Sequence, residues 1–246
     1  MITNHDSGTR IDEIAPDIYR IHTPVNIDGQ MPFNFNQILV ADAEPLIFHT
    51  GPRALFPRVS EAIGAVIPLQ SLRYIAFSHV EADECGALNL LLAAAPRAVP
   101  VCSQIGAMVS VNDLADRPPL ALADNQALVT GEHRLQWLDA PHVPHGWDCG
   151  YLLDTTTRTL LCGDLFTQGE GQAPVTTADI LGPSEVFRQP LDYFAHAPQT
   201  TRTLERLAQL QPAVLACMHG SAFHGDGAAL LRALAERIAD GAAALA

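Results

Sequence analysis

The stretch SHVEADECG (78–86) sets His79, Glu81, Asp83 and Glu84 within six positions, directly after the apolar run RYIAF. No Lys or Arg stands among them. Like charges at this spacing disfavour their ionised forms unless a cation lies between them. The segment is therefore a solvated acidic loop or a metal-binding loop. Three later stretches share its grammar, an apolar run ending in metal-capable side chains. LDAPHVPHGWDCG offers His142 and His145, TLLCGDLFTQ offers Asp164, and LACMHGSAFHG offers His219 and His224. Taken singly, each has a plain structural explanation: a hydrogen-bonded histidine, a Gly-Asp turn, a wet acidic face. Four such run-ends in one chain point instead to a shared metal site. Imidazole and carboxylate donors suit iron, manganese or zinc, and one aspartate can bridge two cations.

For those side chains to meet, the apolar runs must be strands whose ends face one region. Strands are expected over 17–23, 35–42, 45–51, 73–80, 98–103, 133–140, 149–156, 158–164 and 213–220, from their apolar and β-branched content and their Pro, Gly and Asp breaks. Apolar residues at helical spacing predict helices over 57–67, 87–95 (stopped by Pro96), 184–196, 200–210 and 228–245. The Gly-, Pro- and Thr-rich stretch 165–183 is expected to be a loop over the site. Two strand-rich groups, each with helices, predict a four-layer αββα sandwich formed by residues 1–246 as one domain.

Composition narrows the function. With 27 Asp plus Glu against 14 Lys plus Arg, the formal charge is -13. That disfavours nucleic acid and anionic membranes as partners. The first residues, MITNHDSGTRIDE, lack an apolar signal region, and no apolar run is long enough to span a bilayer. Five cysteines without a CxxC pair suit reduced thiols and a cytoplasmic setting. Phe33, Phe35, Trp147, Phe166 and Phe223 lie near the motifs and are expected either to line an apolar pocket or to serve as core.

The order H-x-E-x-D, then His, Asp and His-Gly resembles the di-iron branch of the metallo-β-lactamase superfamily, which includes flavodiiron and oxygen-binding di-iron proteins. FNQILVADAEPLIFHTG is similar to that branch's first sheet. Zinc hydrolases of the superfamily carry H-x-H-x-D-H, and Glu81 here replaces their second His. The resemblance implies that His79, Glu81 and a third-motif His bind one metal ion, Asp83 and His219 bind a second, and Asp164 bridges them. Eighteen residues separate His145 from Asp164, and HGWD is similar to the branch's HWPD, which favours His145. The competitor is His142, because APHVPH also resembles the PGHTPG of zinc hydrolases.

Glu84 departs from the family pattern, which has His there. It can ligate the second metal as a carboxylate or leave a position open. The resemblance implies two metal ions, iron favoured with zinc or manganese as alternatives, and no flavin bound by this chain. It implies an oxidoreductase that binds or reduces dioxygen or a related small oxidant, served by a separate electron-donor protein. The alternative is a hydrolase that uses a metal-bound hydroxide on an ester, lactone or thioester. A homo-oligomer is compatible with either.

Overall fold

A computed structural model describes residues 1–29, 31–169, 171 and 173–245, the side chains of 242–245 excepted. The first sheet contains β1 (Ile2–Asn4), β2 (Thr9–Ala15), β3 (Ile18–Ile27), β4 (Met31–Val40), β5 (Leu46–Phe48), β6 (Tyr74–Ala76), β7 (Val99–Ser103) and β8 (Leu120–Leu122), in spatial as well as chain order. It is antiparallel from β1 to β5 and parallel from β5 to β8. The second contains β9 (Ala127–Val129), β10 (Arg134–Asp139), β11 (Gly150–Asp154), β12 (Thr159–Leu161), β13 (Val175–Thr176), β14 (Val214–Ala216) and β15 (Ala222–His224). Its order is β13-β15-β14-β12-β11-β10-β9, with β12 and β14 parallel.

Side-chain alternation sorts these strands into layers, because successive residues of a strand point to opposite faces. Leu46 and Phe48 of β5 enter the core between the sheets, where they join Leu135 and Trp137 of β10, Leu152 of β11 and Leu161 of β12. Ile47, one residue out of phase, packs outward against helices. On the second sheet Leu138, Tyr151, Leu153, Leu160 and Leu215 turn away from the central core in the same manner.

Helices cover both outer faces. The first carries α1 (Phe56–Gly64), α2 (Ala82–Cys85) and α3 (Leu88–Ala94), followed by α4 (Gln104–Gly106) and α5 (Asn112–Leu114), which flank a π-turn. Val59, Ala62 and Ile63 of α1 and Leu88, Leu91 and Leu92 of α3 form stripes three and four residues apart that bury against this sheet. On the second sheet lie α6 (Leu181–Leu191), α7 (Thr200–Gln209) and α8 (Gly227–Leu245), where Leu204, Leu207 and Ala208 meet Leu231 and Leu234. Fully burying one such leucine stabilises the fold by roughly 1.5–3 kcal/mol. The expected αββα sandwich is the architecture observed.

Boundaries differ from expectation in particular places. α3 stops at Ala94, and Ala95 is extended (φ -118°, ψ 88°) because the ring of Pro96 excludes the helical conformation before it. The expected strand over 213–220 is confined to β14, since Met218–Gly220 turns to present His219, and β15 follows as its antiparallel neighbour. Strands β1, β2, β8, β9, β13 and β15 were not expected. Most are three residues or fewer, and the polar, alternating TRIDEIA of β2 gains its order from pairing with β3. The stretch 165–183 contains β13 and the first turn of α6, which ends at Leu191, one residue after Pro190. Among the described residues no helix is long and apolar enough to cross a membrane.

Candidate metal centre

The anticipated run-ends are the loops after β6, β10, β12 and β14, and they converge. His79 and Glu81 follow β6, and α2 then places Asp83 and Glu84 one short turn further on. His145 comes from the loop after β10, Asp164 from the turn after β12 and His219 from the turn after β14.

The donors fall into two groups that share Asp164. In one, His79 Nε2 and His145 Nε2 lie 2.9 Å apart, and Glu81 Oε2 is 3.1 Å and 3.0 Å from them. Asp164 Oδ2 faces the same pair at 3.7 Å and 3.5 Å. In the other, His219 Nε2 is 3.4 Å from Asp83 Oδ2 and 3.5 Å from Asp164 Oδ1. The two oxygens of Asp164 thus face different histidine groups. Donor atoms of Glu84, His79 and Asp164 also lie within 4.8 Å of one another, as do those of Glu81, Asp83 and Glu84.

The outer nitrogens of the rings are engaged. His145 Nδ1 donates to the carbonyl of Tyr193 at 2.9 Å, and His219 Nδ1 donates to that of Asn34 at 2.7 Å. A carbonyl only accepts, so these bonds keep a proton on Nδ1 and leave Nε2 as the atom that faces the carboxylates. His79 Nδ1 contacts Ser78 Oγ at 2.9 Å, and Ser78 Oγ reaches His49 Nε2 at 3.0 Å.

Two glycines allow this proximity. At Gly163 (φ +50°) a Cβ would stand 3.2 Å from Ser78 Oγ, and at Gly146 (φ +76°) it would stand 3.2 Å from the Cβ of His79. The left-handed backbone and the close approach both favour glycine at these two positions.

The electrostatics call for a cation. Glu84 is fully buried, and neither of its carboxyl oxygens has a hydrogen-bond partner. Burial, followed by the charges of Asp164 and Asp83, pushes the Glu84 carboxyl well above the ordinary range. Burial also opposes the charge of Asp164, yet hydrogen bonding to His219 and the charge of His79 outweigh it and hold that carboxyl far below the ordinary range. Burial lowers His219, but hydrogen bonds to Asp164 and Asp83 reverse the effect and raise it to about 10. Hydrogen bonds from His145 and then His79 bring Glu81 down to about 2 against burial. Histidine rings facing a shared carboxylate, beside a buried carboxylate without donors, form a set that protons or metal ions must neutralise. The residues present therefore fit a pair of metal ions.

His142 is not brought to this cluster. It is exposed on the far side of the loop, with φ +64°. His224 ends β15 on the surface. Of the aromatics, Phe33 lies over His219, with ring centroids 4.6 Å apart, and Phe35 meets the same ring edge-on at 5.5 Å. Phe166 and Phe223 belong to the outer core of the second sheet, and Trp147 is exposed, so these three do not line the site. Cys85 and Cys149 are buried thiols raised by burial, the first to about 11 and the second well above its usual value.

Several supporting residues escaped the sequence reading. His49 ends β5 with the same run-end grammar and was legible on that ground. Asp148, within HGWD, accepts from the backbone N–H of Val80 at 3.0 Å and ties the His145 loop to the His79 loop. Asn34 straps the His219 turn from the other sheet: its Oδ1 accepts from Gly220 N, and its Nδ2 donates to the carbonyls of Gln168 and Gly169. Leu191, Tyr193 and Thr167 join Phe33 and the acidic residues around a shallow cavity of about 150 Å³ over the donors. Nothing in the local sequence marks Asn34, Leu191, Tyr193 or Thr167, because their role arises from contacts between distant segments.

Comparison with known proteins agrees with this architecture. The solved flavodiiron protein of Giardia intestinalis superposes with a TM-score of 0.78 at 19% identity, covering 94% of this chain and 59% of that one. The rubredoxin oxygen:oxidoreductase of Desulfovibrio gigas gives 0.78 at 20% identity, covering 92% and 61%. In sequence, the rubredoxin-oxygen oxidoreductase of Megalodesulfovibrio gigas is 25% identical over 211 residues, 79% of this chain and 50% of the relative. The chain spans 33% and 50% of the lengths of two curated relatives it matches. A family model described as ODP family beta lactamase matches residues 33–220. With that match running from Phe33 beside the cluster to the His219-Gly220 turn, the chain belongs to the ODP beta-lactamase family.

Proposed function

We propose that the cluster holds two iron ions and that the protein binds or reduces dioxygen or a related small oxidant. The observation that carries this reading is the division of the donors about Asp164, one carboxylate oxygen facing His79 and His145 and the other facing His219. In this reading His79, Glu81 and His145 hold the first ion, Asp83 and His219 the second, and Asp164 both. When bound, a pair of ferrous ions supplies electrons to an oxidant.

The chain's own residues do the rest. The carbonyls of Tyr193 and Asn34 keep the protons of His145 and His219 on Nδ1, which presents Nε2 to the ions in a fixed orientation. Phe33, Leu191 and Tyr193 put apolar surface beside the donors. A separate electron-donor protein is the partner this reading assigns, in keeping with the rubredoxin in the name of the M. gigas relative.

The test is metal analysis and spectroscopy of protein produced under controlled metal supply. Two irons per chain, absorbance beyond about 350 nm, and bleaching and recovery on reduction and exposure to air are expected. A colourless protein that retains two zinc ions under iron-replete conditions would overturn the assignment.

A further inference from the structure

Glu84 stands apart from the other donors. It is as deeply buried as any core leucine, and both its oxygens lack a hydrogen-bond partner. Its carboxylate nevertheless lies among the atoms of His79 and Asp164 on one side and of Glu81 and Asp83 on the other. Its backbone is held in place independently, since its carbonyl accepts from Thr50 N at 2.7 Å. A buried carboxylate with no donor is strongly unfavourable, and a solvated loop position would have turned it outward. Packing alone gives no reason for a charge at this position.

Charge counting gives one. Glu81, Asp83 and Asp164 supply three negative charges, and His79, His145 and His219 ligate as neutral groups. Two divalent cations would then leave one positive charge uncompensated in a largely buried site. Ionised Glu84 brings the count to four against four. We propose that Glu84 is a seventh donor to the metal pair, completing its neutrality in the divalent state and biasing the centre toward hard, oxygen-preferring ions, iron or manganese, over zinc. The inference rests on the dinuclear reading above. It adds that this one residue sets the metal preference, because replacing an imidazole nitrogen with a carboxylate oxygen hardens the site. The same residue weakens the metal-free fold, which must bury it against the carboxyl groups of Asp164 and Asp83.

That double role predicts a change of sign. Glu84→Gln keeps the size and removes the charge. In chelator its urea midpoint rises above wild type, because an unpaired buried acid has been removed. Loaded with Mn(II), its midpoint falls below wild type, and its affinity for the second Mn(II) drops at least tenfold. Glu84→His shifts the ratio of Mn(II) to Zn(II) affinity toward zinc at least tenfold, measured by competition and elemental analysis. A role in packing alone moves both midpoints in the same direction. Wild type that takes up fewer than two Mn(II) overturns the dinuclear reading and this proposal with it. Wild type that takes up two, with Glu84→Gln equal to it in Mn(II) affinity or less stable than it in chelator, overturns the proposal alone.

Discussion

Asn34→Ala tests whether the His219 turn is held from the opposite sheet. Asn34 lies on β4 and is buried, and its side chain makes three hydrogen bonds to segments more than 130 residues away. Gly220 N donates to Oδ1 at 2.6 Å, and Nδ2 reaches the carbonyls of Gln168 at 3.2 Å and Gly169 at 3.1 Å. Each such bond contributes about 1 kcal/mol net, and a buried N–H left without an acceptor costs a further 1–3 kcal/mol or so. The Gly220 amide, itself buried, is left without an acceptor, so the expected loss is roughly 4 kcal/mol. For a chain of this size that lowers Tm by about 8–16 °C.

The assay is urea and thermal unfolding in chelator, which isolates the metal-free fold. Metal titration should show the second ion weakened about 10- to 100-fold, the range for residues that orient a ligand, with the first ion nearly unaffected. The hydrogen bond from His219 Nδ1 goes to the Asn34 backbone carbonyl and survives the substitution, so histidine orientation is loosened and not abolished. A stability loss below about 1 kcal/mol, against the sum expected here, would refute the strap. So would equal weakening of both ions.

The same geometry sets three further outcomes. Asp164→Asn should lower affinity for both ions, read by calorimetric titration, and a loss confined to one ion would contradict its position between the two groups. His145→Ala should empty the first subsite, whereas His142→Ala, exposed and outside the cluster, should leave metal content within error; the reverse order would show that the loop is arranged differently. Asp42 supplies an acid-sensitive staple: burial raises its carboxyl, but hydrogen bonds from His133 N, Thr130 Oγ1, Ala43 N and Glu132 N outweigh that and bring it to about 2. Its contribution is complete above the unfolded value near 4 and is lost as pH falls through about 2. Asp42→Asn should therefore flatten the decline in stability between pH 4 and 2, and an unchanged slope would remove Asp42 from the acid response.

Much of the site was legible because short-range pattern and site chemistry coincide in this fold. β6, β10, β12 and β14 are apolar runs, and the residues after each must leave the sheet in a turn, where polar side chains are expected in any case. Four turns rich in imidazole and carboxylate are unusual, and that excess was readable. The layers were readable for a similar reason: odd and even positions of β5 and β11 differ little in hydrophobicity, as strands buried on both faces require. Strands β8, β9, β13 and β15 are short, lie outside any longer apolar run, and exist because a neighbour pairs with them.

By itself the sequence determined which residues could offer donors to a metal and in what order they arrive, since covalent neighbours such as His79, Glu81 and Asp83 share a loop in any fold that ends a strand at Ala76. Only the tertiary structure decided how they divide. The choice of His145 over His142 depends on a left-handed turn packed against His79 across Gly146, and the sharing of Asp164 depends on β12 and β14 lying parallel in the second sheet while β6 lies in the first. The burial of Glu84 depends on the β5 turn closing over α2 through Thr50 N. These are contacts between segments tens to hundreds of residues apart. Local propensity carries no record of them, and they are fixed only when two sheets and their helices close on a common core.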